Sequence, residues 1–471
     1  MNKKYLRHAV LAAAIGSVSQ GAMAAGFYLQ ETSASGLGRA FAAENTIGDN
    51  ASILARNPAG SALFDTYTIT GGITYVDPNI DVAGDVTYFG PVALPDGSVI
   101  ITDLLTVPAD ADDYATSAWI PNGYLAAPIN DEWSWGLAMY TDFGLETDFP
   151  DSFPATLIAN QTELLTVNIQ PSIAYDINDT LSLGAAINFL YADAKLNTSF
   201  PTDFPLGAAL AQVIGFNPEG ATLLNIEGDG WDVSWTVGAL WRISDNTRAG
   251  ISYHAKYDPK LKGDISSDII PPGAPFDDVS GSLTLNLPDT LELGFYHRFD
   301  SQWALALGYM WTNWDRFERL EAFVPSAGEG FNPLPLKEEN FKSGSRFSIA
   351  GEYFYNDKAT IRFGYAYDQG AARDGFNRNE QEEILANTGL DLPITWRTLS
   401  IPDTDRQWLT LGGTYHHTDK LSVDAGIAYL WGDDEKIQEI NNLQNLFLTY
   451  YDGGTTKTEA WLFSAAINYR F

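Results

Sequence analysis

The last segment of the chain alternates strictly between two kinds of position. Successive side chains of a β-strand point to opposite faces, so a period of two predicts a strand. About 9–11 residues are enough for a tilted strand to cross a bilayer. The segment therefore predicts a membrane-spanning strand with one apolar face. That face carries Trp461, Phe463, Ala465, Ile467, Tyr469 and Phe471.

The same period recurs along the chain, for example over 181–191, 361–367 and 421–429. Short turns rich in Asn and Asp, which suit tight hairpins, separate long polar insertions. Six short turns and seven long loops predict an antiparallel β-barrel of fourteen strands, with the short turns on the periplasmic side and the long loops outside. We predict strands near 66–77, 115–129, 132–142, 162–177, 181–197, 224–243, 247–262, 281–299, 302–315, 343–355, 358–368, 405–417, 420–431 and 458–471.

Residues 25–65 do not follow this alternation. They are rich in Gly and Ala and contain Asn57-Pro58-Ala59-Gly60 near their end. A barrel of about eight strands already packs its interior with side chains, so fourteen strands leave a wider lumen. We predict that residues 25–65 form a hatch in that lumen and that residues 66–471 form the barrel.

Residues 1–24 are typical of a secretory signal peptide. A basic head with Lys3, Lys4 and Arg7 precedes an apolar stretch and the small-residue sequence Ala22-Met23-Ala24. After residue 24 the sequence contains no run of about 20 apolar residues, so it predicts no membrane-spanning helix. The sequence thus indicates an exported protein.

Composition then removes several classes of function. The 471 residues include no Cys, which excludes disulfides and thiolate sites, and 60 acidic against 27 basic residues, which argues against nucleic-acid binding. Eight Asp fall in the predicted outer loop 77–114, so the acidity belongs to water-exposed loops. No His-Glu-x-x-His or Gly-x-Ser-x-Gly motif is present, and we expect no enzyme activity, metal or cofactor.

Several short motifs, in order and with matching spacing, then resemble a known family. The resemblance is to the long-chain fatty-acid outer-membrane transporters of the FadL/TodX type, and it covers essentially the whole chain after residue 24. The motifs are Ala25-Gly26-Phe27, Ser35-Gly36-Leu37-Gly38-Arg39-Ala40, Arg56-Asn57-Pro58-Ala59, Trp119-Ile120-Pro121-Asn122, Ala127-Pro128-Ile129-Asn130-Asp131, Leu283 to Pro288, Ser400-Ile401-Pro402-Asp403 and the closing strand.

The resemblance implies a monomeric barrel in the outer membrane of a Gram-negative bacterium, surrounded by outer-membrane lipid. It implies passive uptake of long-chain fatty acids or similar hydrophobic molecules. The ligand would bind an external apolar groove, pass to an inner pocket and leave sideways at a kinked third strand. Alkanes or aromatic hydrocarbons are alternative ligands. A hydrophilic porin, an energised plugged transporter and an outer-membrane lipid hydrolase are weaker alternatives.

The family pattern implies four inner-pocket residues, namely Phe27, Lys337, Glu339 and Asp368. Thr198 stands where the family pattern can carry an arginine for the ligand carboxylate. Lys195, Arg346 or Arg362 could replace that arginine, and strand alternation places Arg346 and Arg362 on the lumen side. The other interpretation of these charges is a solvated or paired barrel wall.

Two outer loops supply the predicted groove, since exposed apolar patches tend to mark interaction sites. An alternative is that these side chains only pack together and seal the barrel mouth. The candidate groove residues are Phe149, Phe153 and Leu157 in one loop, and Phe204, Leu206, Leu210, Val213 and Ile214 in the other.

The predicted exit lies at the end of the third strand. Gly within a strand often marks a bulge or bend, so Asp142, Phe143 and Gly144 are the candidate kink. A strand that simply ends there is the alternative. The family's hatch motif, Asn57-Pro58-Ala59, is expected to face this kink as a rigid turn, although a plain turn also explains it.

Overall fold

The computed structural model describes residues 26–96, 98–269, 279–327, 332–443 and 447–471. The predicted signal peptide lies outside these residues. Twenty-one strand segments form one sheet in the described part of the chain. The segments are β1 (Thr68–Ala93), β2 (Val99–Pro108), β3 (Ala118–Pro128), β4 (Trp133–Tyr140), β5 (Gly144–Asp148), β6 (Gln161–Asn178), β7 (Leu181–Ser199), β8 (Thr222–Ser244), β9 (Thr247–His254), β10 (Lys260–Ser266), β11 (Val279–Thr284), β12 (Thr290–Arg298), β13 (Trp303–Thr312), β14 (Arg319–Phe323), β15 (Leu334–Glu338), β16 (Gly344–Asn356), β17 (Ala359–Asp368), β18 (Arg406–His416), β19 (Leu421–Gly432), β20 (Lys436–Leu443) and β21 (Phe447–Arg470).

These segments build a closed antiparallel barrel of fourteen strands, which confirms the predicted fold class. Several barrel strands consist of two segments, for example β4 and β5 in the third strand and β9 and β10 in the seventh. The first and last strands pair directly, from Thr68 with Arg470 to Phe89 with Leu448. This pairing leaves the barrel without a free edge in the membrane.

Two predicted loops contain more strand than expected. β1 continues to Ala93, and β21 begins at Phe447. β2 pairs with the extended part of β1, and β20 pairs with the extended part of β21. We expected only polar loops over 77–114 and 432–457. The period of two continues there: buried Ile80, Val82 and Val86 alternate with positions that include acidic residues. The result is an external four-stranded ribbon above the membrane.

Within the described residues, helical structure is confined to the hatch and the loops. The α-helices are α1 (Ala34–Leu37), α2 (Gly207–Ile214) and α3 (Arg378–Thr388). Short 3-10 helices span Ala51–Ala55, Pro58–Leu63, Trp314–Arg316 and Pro325–Ala327. Among the described helices, none is both long and apolar enough to span a membrane.

Aromatic residues line the outer face of the barrel at two heights. Cross-strand pairs Tyr75–Trp119 and Tyr429–Trp461 lie toward the external ends of their strands, with ring centroids 4.7 and 4.8 Å apart. Trp133–Tyr175 and Trp303–Tyr353 form the same kind of pair near the short turns, each at 4.7 Å. Two such girdles around an apolar band are the pattern of outer-membrane barrels.

Residues 26–65 occupy the lumen, and nearly all of them are buried. α1 packs on β18 and β19, while the 3-10 helix Pro58–Leu63 packs on β6, β7 and β8. This is the position that we predicted for a hatch.

Inward-facing glycines make room for this segment. A Cβ added at Gly184 would lie 2.1 Å from the backbone nitrogen of Ala59, and one at Gly238 would lie 2.1 Å from Asn57 Oδ1. Such contacts require glycine because only glycine lets another backbone approach the strand so closely. The same relation to the hatch holds at Gly136, Gly250, Gly294, Gly308, Gly364, Gly412 and Gly426.

We predict that Gly184→Ala displaces the hatch, because the new methyl group meets backbone rather than a flexible side chain. The cost of such overpacking is about 1–3 kcal/mol. Ion conductance of the purified protein in planar bilayers should rise, and its melting temperature should fall. Gly123→Ala in β3 is the matched control, since its Cβ would have no atom within 4 Å. Equal behaviour of the two variants would contradict close packing of the hatch.

Candidate functional site

An apolar chamber lies between the beginning of the hatch and the barrel wall. Its walls border about 730 Å³ of space not occupied by protein atoms, part of which is open to solvent. Phe27 and Phe317 line it together with aliphatic residues from neighbouring strands. These aliphatic residues include Leu145, Leu164, Leu196, Ile226, Leu261, Ile265, Leu283, Leu285, Leu320, Leu336 and Ile401.

The beginning of the hatch is held beside the chamber by aromatic packing and one anchoring carboxylate. The Phe27 ring makes edge contacts with Trp314 and Phe317 at centroid distances of 4.6 and 5.1 Å. The Gly26 N–H donates to Asp403 Oδ1 at 3.0 Å. Phe27 is thus fixed where it lines the chamber, and its role in ligand binding stays a prediction.

The third barrel strand is interrupted beside this aromatic cluster. β4 ends at Tyr140 and β5 begins at Gly144, so the break coincides with the predicted kink residues Asp142, Phe143 and Gly144. The backbone at the break pairs with the hatch: Leu29 N–H donates to the Asp142 carbonyl at 2.8 Å, and Gly144 N–H donates to the Phe27 carbonyl at 3.1 Å. The hatch thus supplies the partner that a neighbouring strand would otherwise supply.

The second barrel strand does not pair with the third at the break, since the ladder of β3 with β4 reaches only to Gly123 and Met139. Pro121 lies in β3 and has no N–H to donate toward a neighbour. Above the break, Ala115 bridges Thr147, and Thr116 N–H donates to the Glu146 carbonyl. Between the two strands there is therefore a gap, closed from inside by residues 27–29.

The hatch motif does not face this gap, contrary to our expectation. The Asn57 side chain donates to the carbonyls of Asn45 and Ala239 at 2.9 and 3.1 Å, and its Oδ1 accepts from Ala59 N–H. Pro58 begins a 3-10 helix that packs near Gly184. Close packing of this turn on β7 and β8 determines where the motif lies.

The lumen arginines predicted as carboxylate receptors bind protein groups instead. Arg362 contacts Glu352 at 2.8 Å and Asp49 at 3.1 Å. Arg346 contacts Asp368 at 3.3 Å, donates to the Ala40 carbonyl and lies over the Trp408 ring. Both side chains face the lumen, as alternation predicted, but among the described residues they contribute to other cavities.

Lys195 lies at the chamber wall, but it is on the face of β7 whose side chains point away from the lumen. The register of β7 is regular, so Lys195 shares its face with lipid-facing Phe189, while Ala194 and Leu196 face the chamber. Its cross-strand neighbours are Glu163 and Glu227. Alternation therefore disfavours Lys195 as a substitute for the arginine absent at Thr198.

Lys337 and Glu339 lie close together beside residues 398–400, and neither is among the residues that line the chamber. Lys337 Nζ lies 2.7 Å from Glu439 Oε1 and donates to Ser400 Oγ at 2.7 Å. Glu339 is fully buried and accepts a long hydrogen bond from Thr398 Oγ1 at 3.4 Å. Burial raises the pKa of the Glu339 carboxyl to about 8, opposed by Lys337 and reinforced by Glu439.

Arg406 is a pocket residue that the sequence interpretation missed. A second pocket of about 320 Å³ shares Leu145 and Ile401 with the chamber and is also lined by Gly26 and Arg406. Arg406 Nη2 contacts Asp403 Oδ1 at 2.8 Å, while its buried Nε has no hydrogen-bond partner among the described residues. The signal in the sequence was its place just after the Ile-Pro-Asp motif, at the start of β18.

The predicted outer-groove residues form a packed cluster at the barrel mouth. Phe149, Phe153, Leu157 and Phe204 are buried in it, and Leu206 and Leu210 are partly buried against it. Tyr114 stacks on Phe149 with centroids 4.1 Å apart. The side chains of Val213 and Ile214 lie outside the described part of the structure. We call the described residues of this cluster, together with Ile80, Ala115 and Leu399 that pack with them, the outer cluster.

Sequence interpretation also missed the charges that hold the hatch in place. Arg39 is fully buried and pairs with Glu44, Asp49 and Glu352 at 2.9, 2.8 and 2.9 Å. Arg56 pairs with Glu292 at 2.9 Å and donates to the Tyr28 hydroxyl. Both arginines stood in the motifs of the hatch, but their barrel partners, Glu352 and Glu292, lie far away in sequence.

Comparisons with known proteins agree with this architecture. A family model described as "Outer membrane protein transport protein (OMPP1/FadL/TodX)" matches residues 15–380 and 392–471. The long-chain fatty acid transport protein of Escherichia coli (strain K12) is 32% identical over 497 residues, which cover 100% of this chain and 99% of that protein.

Solved structures share the fold. The crystal structure of a Pseudomonas aeruginosa FadL homologue has a TM-score of 0.76 and 24% identity, covering 95% of this chain and 100% of that chain. The crystal structure of the Pseudomonas putida toluene transporter TodX has a TM-score of 0.59 and 16% identity, covering 95% and 100%.

The raised pKa of Glu339 predicts a pH-dependent stability. The pKa of this carboxyl is about 8 in the folded protein and 4.5 at its ordinary value, which applies to the unfolded chain. Between these two pH values the folded state binds the proton more tightly than the unfolded state. The free energy of unfolding should therefore fall as pH rises from 4.5 to about 8. Glu339→Gln should therefore raise the melting temperature more at pH 9 than at pH 5. A melting-temperature difference that does not change with pH would contradict this assignment.

Proposed function

The chain belongs to the OMPP1/FadL/TodX family of outer-membrane transport proteins, and we propose that it carries long-chain fatty acids passively across the outer membrane. The observation that supports this best is the apolar chamber closed by Phe27, directly beside the break in the third barrel strand. Such a chamber suits an alkyl chain and not a hydrated solute.

The proposed route has three stages. A ligand is captured at the outer cluster, moves to the chamber, and leaves through the gap between the second and third strands. Opening of the gap requires that residues 27–29 give up their hydrogen bonds to Asp142 and Gly144. The ligand then enters the membrane sideways and avoids the polar lower lumen around Arg39 and Arg362.

Arg406 is the proposed receptor for the ligand carboxylate. Its buried guanidinium has an unused Nε–H donor and lines the pocket that adjoins the chamber. An Arg–carboxylate contact is charge-assisted and directional. Arg406 would thus replace the arginine that is absent at Thr198.

A neutral hydrocarbon is the alternative ligand, and the nearly apolar wall of the chamber favours it. The Pseudomonas putida relative of known structure is named a toluene transporter. Relatives in this family are transporters, and we propose that this chain is likewise no enzyme. We also propose that it acts as a monomer in outer-membrane lipid, with residues 1–24 removed, residues 25–65 as hatch and residues 66–471 as barrel.

The test of this proposal is uptake of labelled oleate and labelled toluene by cells that lack their own transporter. The full-length gene should increase oleate uptake over the empty vector. Increased toluene uptake without increased oleate uptake would favour the hydrocarbon alternative. No increase with either ligand, at normal outer-membrane levels, would overturn the transport function.

A reversible lock tests whether the hatch must move. The natural chain has no Cys, and Tyr28 and Phe143 form an antiparallel bridge. Residues so paired lie about 4.5–5.5 Å apart at Cα, within the range of a disulfide. We predict that the Tyr28→Cys, Phe143→Cys double variant transports oleate only after reduction. Each single variant should be insensitive to the reductant, and uptake by the oxidised double variant would contradict the proposed exit.

Arg406→Met should weaken binding of oleate roughly tenfold or more, as expected for loss of a hydrogen bond to a charged group. Folding should survive, because Asp403 keeps the N–H donors of Gly26, Ala371 and Ala372. Binding of oleyl alcohol to the purified protein is the control and should change little. An equal loss with both ligands would assign Arg406 to structure only.

A further inference from the structure

A short segment passes from the outer cluster to the wall of the inner chamber. Leu399 is buried in the outer cluster, and Ile401 lines the chamber. Ser400 lies between them and is fully buried. The 320 Å³ pocket beside this segment is lined by residues of both regions. Ile80 and Ala115 belong to the outer cluster, and Leu145 and Ile401 also line the chamber. Ser400 therefore lies in the segment that connects the outer cluster with the chamber wall.

An ion pair lies at this crossing. Lys337, from β15 in the barrel wall, binds Ser400 Oγ and Glu439 Oε1, each at 2.7 Å. Glu439 comes from β20 of the external ribbon, and its Oε2 accepts the N–H of Leu399 at 2.7 Å. β20 also touches the outer cluster, because the Asn441 amide donates to the Leu157 carbonyl. The pair thus connects the outer cluster with the inner wall.

The surroundings of Lys337 carry more acidic than basic groups. Burial raises the pKa of Glu339 to about 8 and that of Glu380 to about 7, and the charge of Glu439 contributes to both shifts. One ammonium is therefore already shared among several carboxyl groups. A further carboxylate could not be added without strong repulsion, so binding of an acid here requires that a resident carboxylate leave.

We propose that Glu439 is a resident counter-ion, which the carboxylate of an incoming fatty acid displaces from Lys337 at a first bound position, before the carboxylate passes on to Arg406. The inference rests on the proposed function. The exchange replaces one carboxylate by another, so Lys337 is never left without a counter-ion. Glu439 keeps the N–H of Leu399 as a donor when it is released. A neutral ligand of the same length has no group that can make this exchange.

The two charges set the affinity for the acid in opposite directions. Removal of the competing charge by Glu439→Gln should tighten binding of oleate roughly tenfold, the order of one charge-assisted hydrogen bond. The amide oxygen can still accept from Leu399. Lys337→Met should weaken oleate binding, and the double variant Lys337→Met, Glu439→Gln should bind like Lys337→Met alone, because Glu439 competes only for Lys337.

The experiment measures retention of radiolabelled oleate and oleyl alcohol by the full-length protein, purified in a neutral detergent. Oleyl alcohol has the same chain without the charge, and its binding should be unchanged in all variants, which also shows that the chamber is intact. Glu435→Gln is the matched control, since Glu435 lies just before β20 and pairs with Arg397 at 2.9 Å instead. It should leave the binding of both ligands unchanged.

The outcomes separate the two levels of inference. If wild-type protein binds both ligands and Glu439→Gln does not tighten oleate binding, the counter-ion role is overturned while the proposed function stands. A similar gain with oleyl alcohol would also overturn it, since charge would then be irrelevant. If wild-type protein retains neither ligand, the proposed function fails and the inference fails with it. Should Glu439→Gln not assemble, Glu439→Asp offers the same test through a shorter carboxylate and a smaller gain.

Discussion

Backbone hydrogen bonding at the third barrel strand is the constraint on which the rest of the structure depends. Within a bilayer every N–H and C=O group needs a partner from the protein, which is why membrane barrels close. At Asp142 and Gly144 the partner is the hatch and not a neighbouring strand. The same three residues that complete the sheet also present Phe27 to the chamber. A ligand that moves Phe27 therefore acts directly on the integrity of the barrel wall.

The hatch divides into a fixed part and a part held more weakly. From Arg39 onward, buried ion pairs tie it to distant strands, and breaking such a pair leaves an uncompensated charge that costs about 3–5 kcal/mol. Residues 26–29 are held by ring contacts, two backbone hydrogen bonds, the bond from Gly26 to Asp403 and the hydrogen bond from Arg56 to the Tyr28 hydroxyl. On the proposed route, the gap would open at residues 26–29 while the ion-paired part of the hatch stays in place.

Sequence patterns were sufficient for the architecture but not for the pairing of charges. The period of two identified all fourteen strands, and the absence of that period identified the lumen segment. The period of two did not show that β1 and β21 extend together beyond the membrane. Acidic residues on the solvent-exposed face of these strands make the segments resemble polar loops, although the other face is apolar. Arg346 and Arg362 were placed correctly in the lumen, yet their partners Asp368 and Asp49 depend on the packed hatch. Likewise, nothing local to Lys337 reveals Glu439, about a hundred residues away along the chain and next to it in space.

The pairing of β1 with β21 has a consequence for how the protein reaches its final state. This seam joins residues near the two ends of the chain and runs from Thr68–Arg470 to Phe89–Leu448, farther than the membrane alone requires. Contacts between such remote residues form slowly, because a very long loop must close first. Once formed, the seam must be separated along its whole length before the barrel can reopen. The length of this seam should therefore make separation of the first and last strands slow, so that it contributes to the kinetic stability of the closed barrel.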